Sequence, residues 1–181
     1  MRLFIAINFG ETMKDSLGRT MERLKAYTTG GNFTRRENLH MTLVFLGEIP
    51  PQRLSDIKEA MDRVEQSPFT FQLSGMGKFS RDGGDLYWIG VKKAEGLSEV
   101  YDQLFRALSA AGFTLEKREY KPHLTLGRKI GVAESFDAGE FSRQIPDLEV
   151  KVETISLMKS EQINGKLTYT EVYGKRLQPE G

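Results

Sequence analysis

An unbroken apolar run, Leu3-Phe4-Ile5-Ala6-Ile7, opens the chain and ends at Asn8; it reads as a strand buried on both faces. Met13, Leu17, Met21 and Leu24 then recur at spacings of four and three. They form the stripe of an amphipathic helix opened by Thr12, with Asp15 as capping partner, and Gly30-Gly31 closes that unit. Residues 39–46 read as a strand. Pro50-Pro51 introduces a helix with Leu54, Ile57, Met61 and Val64 on one face, and Pro68 precedes a strand over 69–73. After the polar loop Arg81-Asp82-Gly83-Gly84-Asp85 the same order begins again. A strand over 86–91 leads to a helix carried by Leu97, Val100, Tyr101, Leu104, Phe105 and Leu108 and ended by Gly112. A strand over 124–127, a weaker helical stretch over 133–143 and a long strand over 148–158 follow. Asn164-Gly165 predicts a type I′ hairpin turn into a last strand over 166–173.

The repetition has nearly constant offsets: Trp88 follows Phe4 by 84 positions, His123 follows His40 by 83, and the strands beginning at Phe69 and Leu148 differ by 79. Two β-α-β-α-β units, about 1–80 and 84–160, therefore precede one extra strand. They predict a single bilobal domain over 1–181, built by duplication, with halves packed about a pseudo-two-fold axis.

The repeat contains the most informative words in the chain. His40-Met41-Thr42-Leu43 and His123-Leu124-Thr125-Leu126 hold its only two histidines. Successive side chains on a strand alternate faces, so each His and Thr share one face while Met41, Leu43, Leu124 and Leu126 point into the core. Two half-sites, each offering an imidazole and a hydroxyl, would then line one cleft. That set suits a phosphodiester. Its displacement needs a base for the attacking oxygen, an acid for the departing one and donors on the non-bridging oxygens. Histidine, with an ordinary pKa of about 6.5, can serve on either side of that exchange. Thr42 and Thr125 supply donors, and Arg128 adds a cationic fork. His123 to Arg128 is an odd step, so a bulge or strand end at Gly127 is needed to return Arg128 to the cleft.

Composition narrows the field. A net charge of +1 gives no bulk attraction for long nucleic acids or membranes, so any polyanion site is local. With no cysteine, disulfides, thiolate nucleophiles and Cys-ligated zinc are excluded. Neither motif carries the extra carboxylate or third histidine of a metal site, and no Walker loop, G-x-S-x-G elbow or dinucleotide fingerprint is present. No cofactor or metal is expected. The first apolar run is too short for a signal h-region or a membrane span, which predicts a soluble, cytoplasmic protein. Arg35-Arg36, Lys117-Arg118 and Lys121 read as surface charges able to collect phosphates at a cleft rim, and Trp88, Phe33 and Tyr120 read as core aromatics, with base stacking as the alternative.

The segments Glu37-Asn38-Leu39-His40-Met41-Thr42-Leu43-Val44-Phe45-Leu46-Gly47 and Lys121-Pro122-His123-Leu124-Thr125-Leu126-Gly127-Arg128 resemble the two-histidine (2H) phosphoesterase superfamily. They look most like its RNA 2′,3′-cyclic phosphodiesterase branch, also called 2′-5′ RNA ligases. Phe4-Ile5-Ala6-Ile7 and Tyr87-Trp88-Ile89-Gly90 are similar too. The resemblance implies a duplicated bilobal α+β fold of two mostly antiparallel sheets with flanking helices and an active site in the cleft between lobes. It implies metal-independent opening of a terminal 2′,3′-cyclic phosphate on RNA to a 2′-phosphomonoester. His40 would be the proton donor to the leaving 3′-oxygen and His123 the proton acceptor from water. Thr42 and Thr125 would hold the phosphate; Arg128 joins them on the reading of the residues above, and the chain is expected to act as a monomer. Run in reverse with a 5′-hydroxyl end, the same groups would make a 2′-5′ bond without ATP. A 2H enzyme for a small cyclic nucleotide and a non-catalytic RNA-end binding module are the competing readings. Titratable imidazoles where Arg or Lys would suffice argue against the module.

Overall fold

The structure, a computed structural model, describes residues 1–117 and 119–180. Strand β1 (Arg2–Asn8) organises the first sheet because it is apolar on both faces. Leu3, Ile5 and Ile7 enter the main core, while Phe4 and Ala6 join Met158 in a smaller cluster covered by Tyr169. β1 pairs with β3 (His40–Glu48) on one side and β8 (Thr154–Ile163) on the other. β9 (Lys166–Arg176) completes the order β3-β1-β8-β9. The second sheet comprises β2 (Thr28–Phe33), β6 (Leu124–Val132), β5 (Asp85–Lys92), β4 (Phe69–Phe79) and β7 (Leu148–Val152), in the order β2-β6-β5-β4-β7. Every pairing is antiparallel. Helices α1 (Glu11–Lys25), α2 (Leu54–Asp62), α3 (Glu95–Ala110) and α4 (Ala138–Gln144) flank the sheets. α3 touches β3 of one sheet and β4 of the other, so one apolar helix face links both layers. One apolar cluster spans both sheets and buries Met41, Leu43, Leu124 and Leu126. Truncating such a residue to alanine typically costs roughly 2–5 kcal/mol.

The orders β3-β1-β8 and β6-β5-β4 occupy equivalent places in the two sheets. The third strand of each sequence half is therefore exchanged: β4 lies beside β5, and β8 lies beside β1. Each half-site thus meets side chains contributed by the other half of the chain.

Several local expectations change. The run 148–158 is two strands in different sheets, because the inward alternation breaks where Glu153 and Thr154 are both exposed between buried Val152 and Ile155. β2 is an additional strand; it is a polar, Gly-containing edge strand paired to β6, with no apolar alternation to mark it. The strand at 69–73 runs on to Phe79. The stretch 133–143 shortens to α4, capped where Asp137 accepts from the Glu140 amide at 3.0 Å. Thr12 and Asp15 do not cap α1, which begins at Glu11 behind Gly10; the Asp15 carboxylate instead receives the Arg36 guanidinium. Asn164 and Gly165 adopt φ of 52° and 77°, both left-handed, and connect Ile163 to Lys166 as the two-residue turn requires.

Candidate active site

His40 begins β3 and faces half-buried out of the sheet, with Met41 and Leu43 buried behind it. Its Nδ1 lies 2.7 Å from the Asn38 carbonyl oxygen, and its Nε2 lies 2.9 Å from Thr42 Oγ1. A carbonyl only accepts, so Nδ1 carries the proton and the Nε2 lone pair of the neutral ring receives the Thr42 hydroxyl. Aromatic rings close around this imidazole: Phe4 is at 5.0 Å and Tyr169 stands perpendicular at 5.1 Å between centroids. Burial holds the His40 pKa below the ordinary imidazole value; the Asn38 carbonyl opposes this, and the nearby Arg128 charge adds to the lowering.

His123 immediately precedes β6 and repeats part of this pattern. Its Nδ1 is 2.8 Å from the Lys121 carbonyl oxygen, so its proton is also on Nδ1 and the Nε2 lone pair is left free. Phe79 stands perpendicular to the ring at 5.4 Å, and Trp88 is tilted at 6.2 Å. The Trp88 indole lies over Gly77 of β4, where a Cβ would come within 2.3 Å of the ring, so only glycine admits this placement. Its Nε1–H is buried without an acceptor among the described residues. No hydrogen bond among those residues ties His123 Nε2 to Thr125 Oγ1; the two half-sites differ here.

The half-sites are held together by backbone. β3 and β6 are in contact. Thr34, six residues before His40, donates from its amide to the Leu126 carbonyl at 2.8 Å and from its hydroxyl to the Thr125 carbonyl at 3.1 Å. In the opposite direction, Tyr120 donates its hydroxyl to the Thr42 carbonyl at 3.0 Å. Burial and Tyr101, stacked on it at 4.5 Å, raise the Tyr120 pKa, so the phenol remains a donor.

The parity problem at Arg128 is solved by a bulge. Gly127 pairs with Tyr87 and Thr125 with Trp88, so two steps on β6 match one on β5. Leu126 and Gly127 are consecutively buried, and Arg128 emerges on the face of Thr125. Its charge acts on both His40 and Tyr169, and among the described residues it makes no hydrogen bond or ion pair. The other arginines expected at the rim are occupied: Arg36 binds Glu11 at 2.7 Å and Asp15 at 2.6 Å, while Arg35 binds Glu37 and the Leu167 carbonyl. Lys117 and Lys121 are exposed; Arg118 lies outside the described residues. Phe33 packs partly buried on the core with Lys25 over its ring, and Tyr120 also lies against the core. Asn38, Phe79, Tyr120 and Tyr169 were not legible as site residues, because register and strand exchange, not sequence spacing, bring them to the histidines. Among the described residues no group of three or more His, Cys, Asp or Glu could hold a metal ion, and no helix is long and apolar enough to cross a membrane.

Two antiparallel sheets, each presenting one H-x-T-L strand with a Nδ1-protonated histidine, define a two-histidine phosphoesterase architecture. A profile of the 2′-5′ RNA ligase superfamily matches residues 13–164, and the chain belongs to that superfamily. It is 33% identical over 163 residues to the RNA 2′,3′-cyclic phosphodiesterase of Thermotoga maritima, covering 88% of this chain and 87% of that one. It is 30% identical over 183 residues to the protein of the same name from Methanothermobacter thermautotrophicus, covering 98% and 99%. A crystal structure of a Thermus thermophilus protein superimposes over all of both chains with a TM-score of 0.79 at 26% identity. Escherichia coli LigT, solved with 3′-AMP, shares the fold with a TM-score of 0.79 at 24% identity over 97% of each chain.

Proposed function

We propose that this protein hydrolyses the terminal 2′,3′-cyclic phosphate of RNA to a 2′-phosphomonoester, without a metal, by acid–base catalysis between His40 and His123. Neutral His123 takes a proton from water through Nε2 as the water oxygen bonds to phosphorus. The bond from phosphorus to the 3′-oxygen breaks, and protonated His40 gives its Nε2 proton to that oxygen. The product keeps its phosphate on the 2′-oxygen and gains a 3′-hydroxyl. Arg128 and the hydroxyls of Thr42 and Thr125 hold the non-bridging oxygens, whose negative charge grows as water adds. With a 5′-hydroxyl RNA end in place of water, His123 takes its proton as the 5′-oxygen bonds to phosphorus, the 3′-oxygen leaves protonated by His40, and the ends are joined through a 2′-5′ bond. The protein acts as one bilobal domain over 1–181, a monomer in the cytoplasm.

The observation that carries this reading is the shared tautomer. Both imidazoles give Nδ1–H to the carbonyl two residues upstream, at 2.7 Å and 2.8 Å, which leaves both Nε2 atoms for proton transfer. We assign the roles by exposure: His123 is the more open to water, and half-buried His40 is given delivery of a proton to an oxygen within the substrate. The names of the curated relatives support the substrate class. The direct test is a short RNA ending in a 2′,3′-cyclic phosphate, incubated with the protein in EDTA. Conversion to the 2′-phosphomonoester is expected. An unchanged RNA, or activity that returns only with an added divalent metal, contradicts the reading.

A further inference from the structure

Among the described residues, His40 and not His123 is tied to a distant strand through a hydrogen-bonded side chain. Asn38 is a buried polar residue, 6% exposed, at the end of the 3₁₀ turn Arg36–Asn38. Three hydrogen bonds fix it: its amide donates to the Arg35 carbonyl at 2.8 Å, its Nδ2 donates to the Leu167 carbonyl at 2.9 Å, and its own carbonyl accepts His40 Nδ1–H at 2.7 Å. Leu167 lies at the start of β9, and Arg35 Nη1 reaches the same carbonyl at 3.1 Å. Two residues along β9, Tyr169 stands against the His40 ring at 5.1 Å. The β8–β9 hairpin therefore grips His40 twice, through the carbonyl that holds its proton and through the ring beside it. The corresponding carbonyl for His123 belongs to exposed Lys121, with no side-chain tether of this kind among the described residues.

We infer that Asn38 is a positioning residue for the phosphodiester reaction: by anchoring its own peptide to the β8–β9 hairpin it keeps its carbonyl aimed at His40 Nδ1, so that Nε2 alone exchanges protons with substrate. The inference rests on the catalytic role proposed for His40. The physical reason is geometric. A buried amide whose side chain is bonded on one side and whose carbonyl is bonded on the other cannot turn without losing both bonds. With the side-chain bond removed, the peptide is held only by the turn, and the imidazole is released to a second tautomer or ring orientation. An imidazolium whose Nδ1–H is not held can turn its Nε2–H away from the leaving oxygen or lose its proton from Nδ1 instead. Misplacement by about an ångström costs on the order of 10²-fold in rate.

The test combines imidazole ¹⁵N NMR with kinetics on a cyclic-phosphate RNA, in the wild type, Asn38→Leu and Asn38→Ala. In the wild type neutral His40 should be the Nδ1–H tautomer; finding Nε2–H there overturns the inference without any variant. In Asn38→Leu, which keeps the branched heavy-atom skeleton and removes the donor, the His40 signals should become those of a tautomer mixture while those of His123 stay put. kcat should fall about tenfold or more, with KM within about twofold. Asn38→Ala gives the same readout if the leucine does not fold. Unchanged His40 signals, equal disturbance of both histidines, or an altered tautomer with wild-type kcat each overturn it. A folded His40→Ala protein with wild-type turnover would instead remove the catalytic reading beneath it, which separates the two failures.

Discussion

The two half-sites are written in the same four-letter pattern and sit in different surroundings. At His40 the imidazole is enclosed by Phe4 and Tyr169, bonded through Nε2 to Thr42, and anchored through Asn38 to β9. At His123 the ring lies between Phe79 and Trp88 at the open end of β6, with its Nδ1 on the carbonyl of an exposed lysine. What the words share is the face of the strand and the position of the proton. What separates them comes from strands supplied from elsewhere: β4 brings Phe79 to His123, and β9 brings Tyr169 to His40. A repeated motif can thus make two equivalent imidazoles, while strands from elsewhere in the chain give each a different environment.

The largest expected effect comes from deleting either imidazole. His40→Ala and His123→Ala should each lose roughly 10²–10⁴-fold in hydrolysis, the usual contribution of a general acid or base, while keeping the fold. If one variant retained near wild-type turnover, the pair would not be a pair. Arg128→Gln should cost about 10²-fold, as removal of a charge-stabilising donor does, and Arg128→Lys should recover only part because the fork is lost. The same change should raise the His40 pKa, since the Arg128 charge helps to lower it. An Arg128→Gln protein in which His40 titrates as before would place that charge outside the site.

Stability should reveal the asymmetry more gently. His40 is held below its unfolded pKa, so below about pH 6.5 the unfolded chain gains a proton that the folded chain refuses. The associated stability is fully present above that pH and is lost as pH falls through the lowered value. His40→Gln should therefore show a smaller decline in Tm between neutral and mildly acidic pH than the wild type; parallel declines would mean that His40 is not desolvated. The smallest effect is expected at Trp88. Trp88→Phe keeps a ring over Gly77 beside His123 and removes the unpartnered Nε1–H, so Tm should hold or rise slightly. A clear fall in Tm would mean that the indole nitrogen has a partner in solution.

Much of this site could be read along the chain because alternation is local. Met41, Leu43, Leu124 and Leu126 are buried, and the His and Thr between them face outward, as a two-residue period dictates. Strict alternation puts Arg128 on the wrong face, and the bulge at Leu126 and Gly127 returns it to the face of Thr125. The hairpin at Asn164-Gly165 follows from two residues that readily take successive left-handed conformations. What stayed hidden depends on distant pairing. β2 has no apolar pattern, yet it delivers Thr34 to β6 and so fixes the path into His40. The break at Glu153 looks like continued strand until the sheets are assigned. Asn38 reads as one polar residue in a turn, and its meaning depends on a carbonyl 129 positions away.

The claim that one histidine is a buried acid and the other an open base is tested most directly by the pH dependence of kcat/KM on a cyclic-phosphate RNA. That ratio reports ionisations of the empty enzyme. The site predicts a bell: protonation of His40, the acid, contributes a limb that falls as pH rises, and that ionisation lies below the ordinary imidazole value of about 6.5 because burial disfavours the charge. In the residual activity of His123→Ala that limb should remain and the acidic limb should vanish; in His40→Ala the reverse should hold. A flat profile in the wild type with chemistry rate-limiting would contradict acid–base catalysis by this pair, and loss of the opposite limb in each variant would contradict the roles.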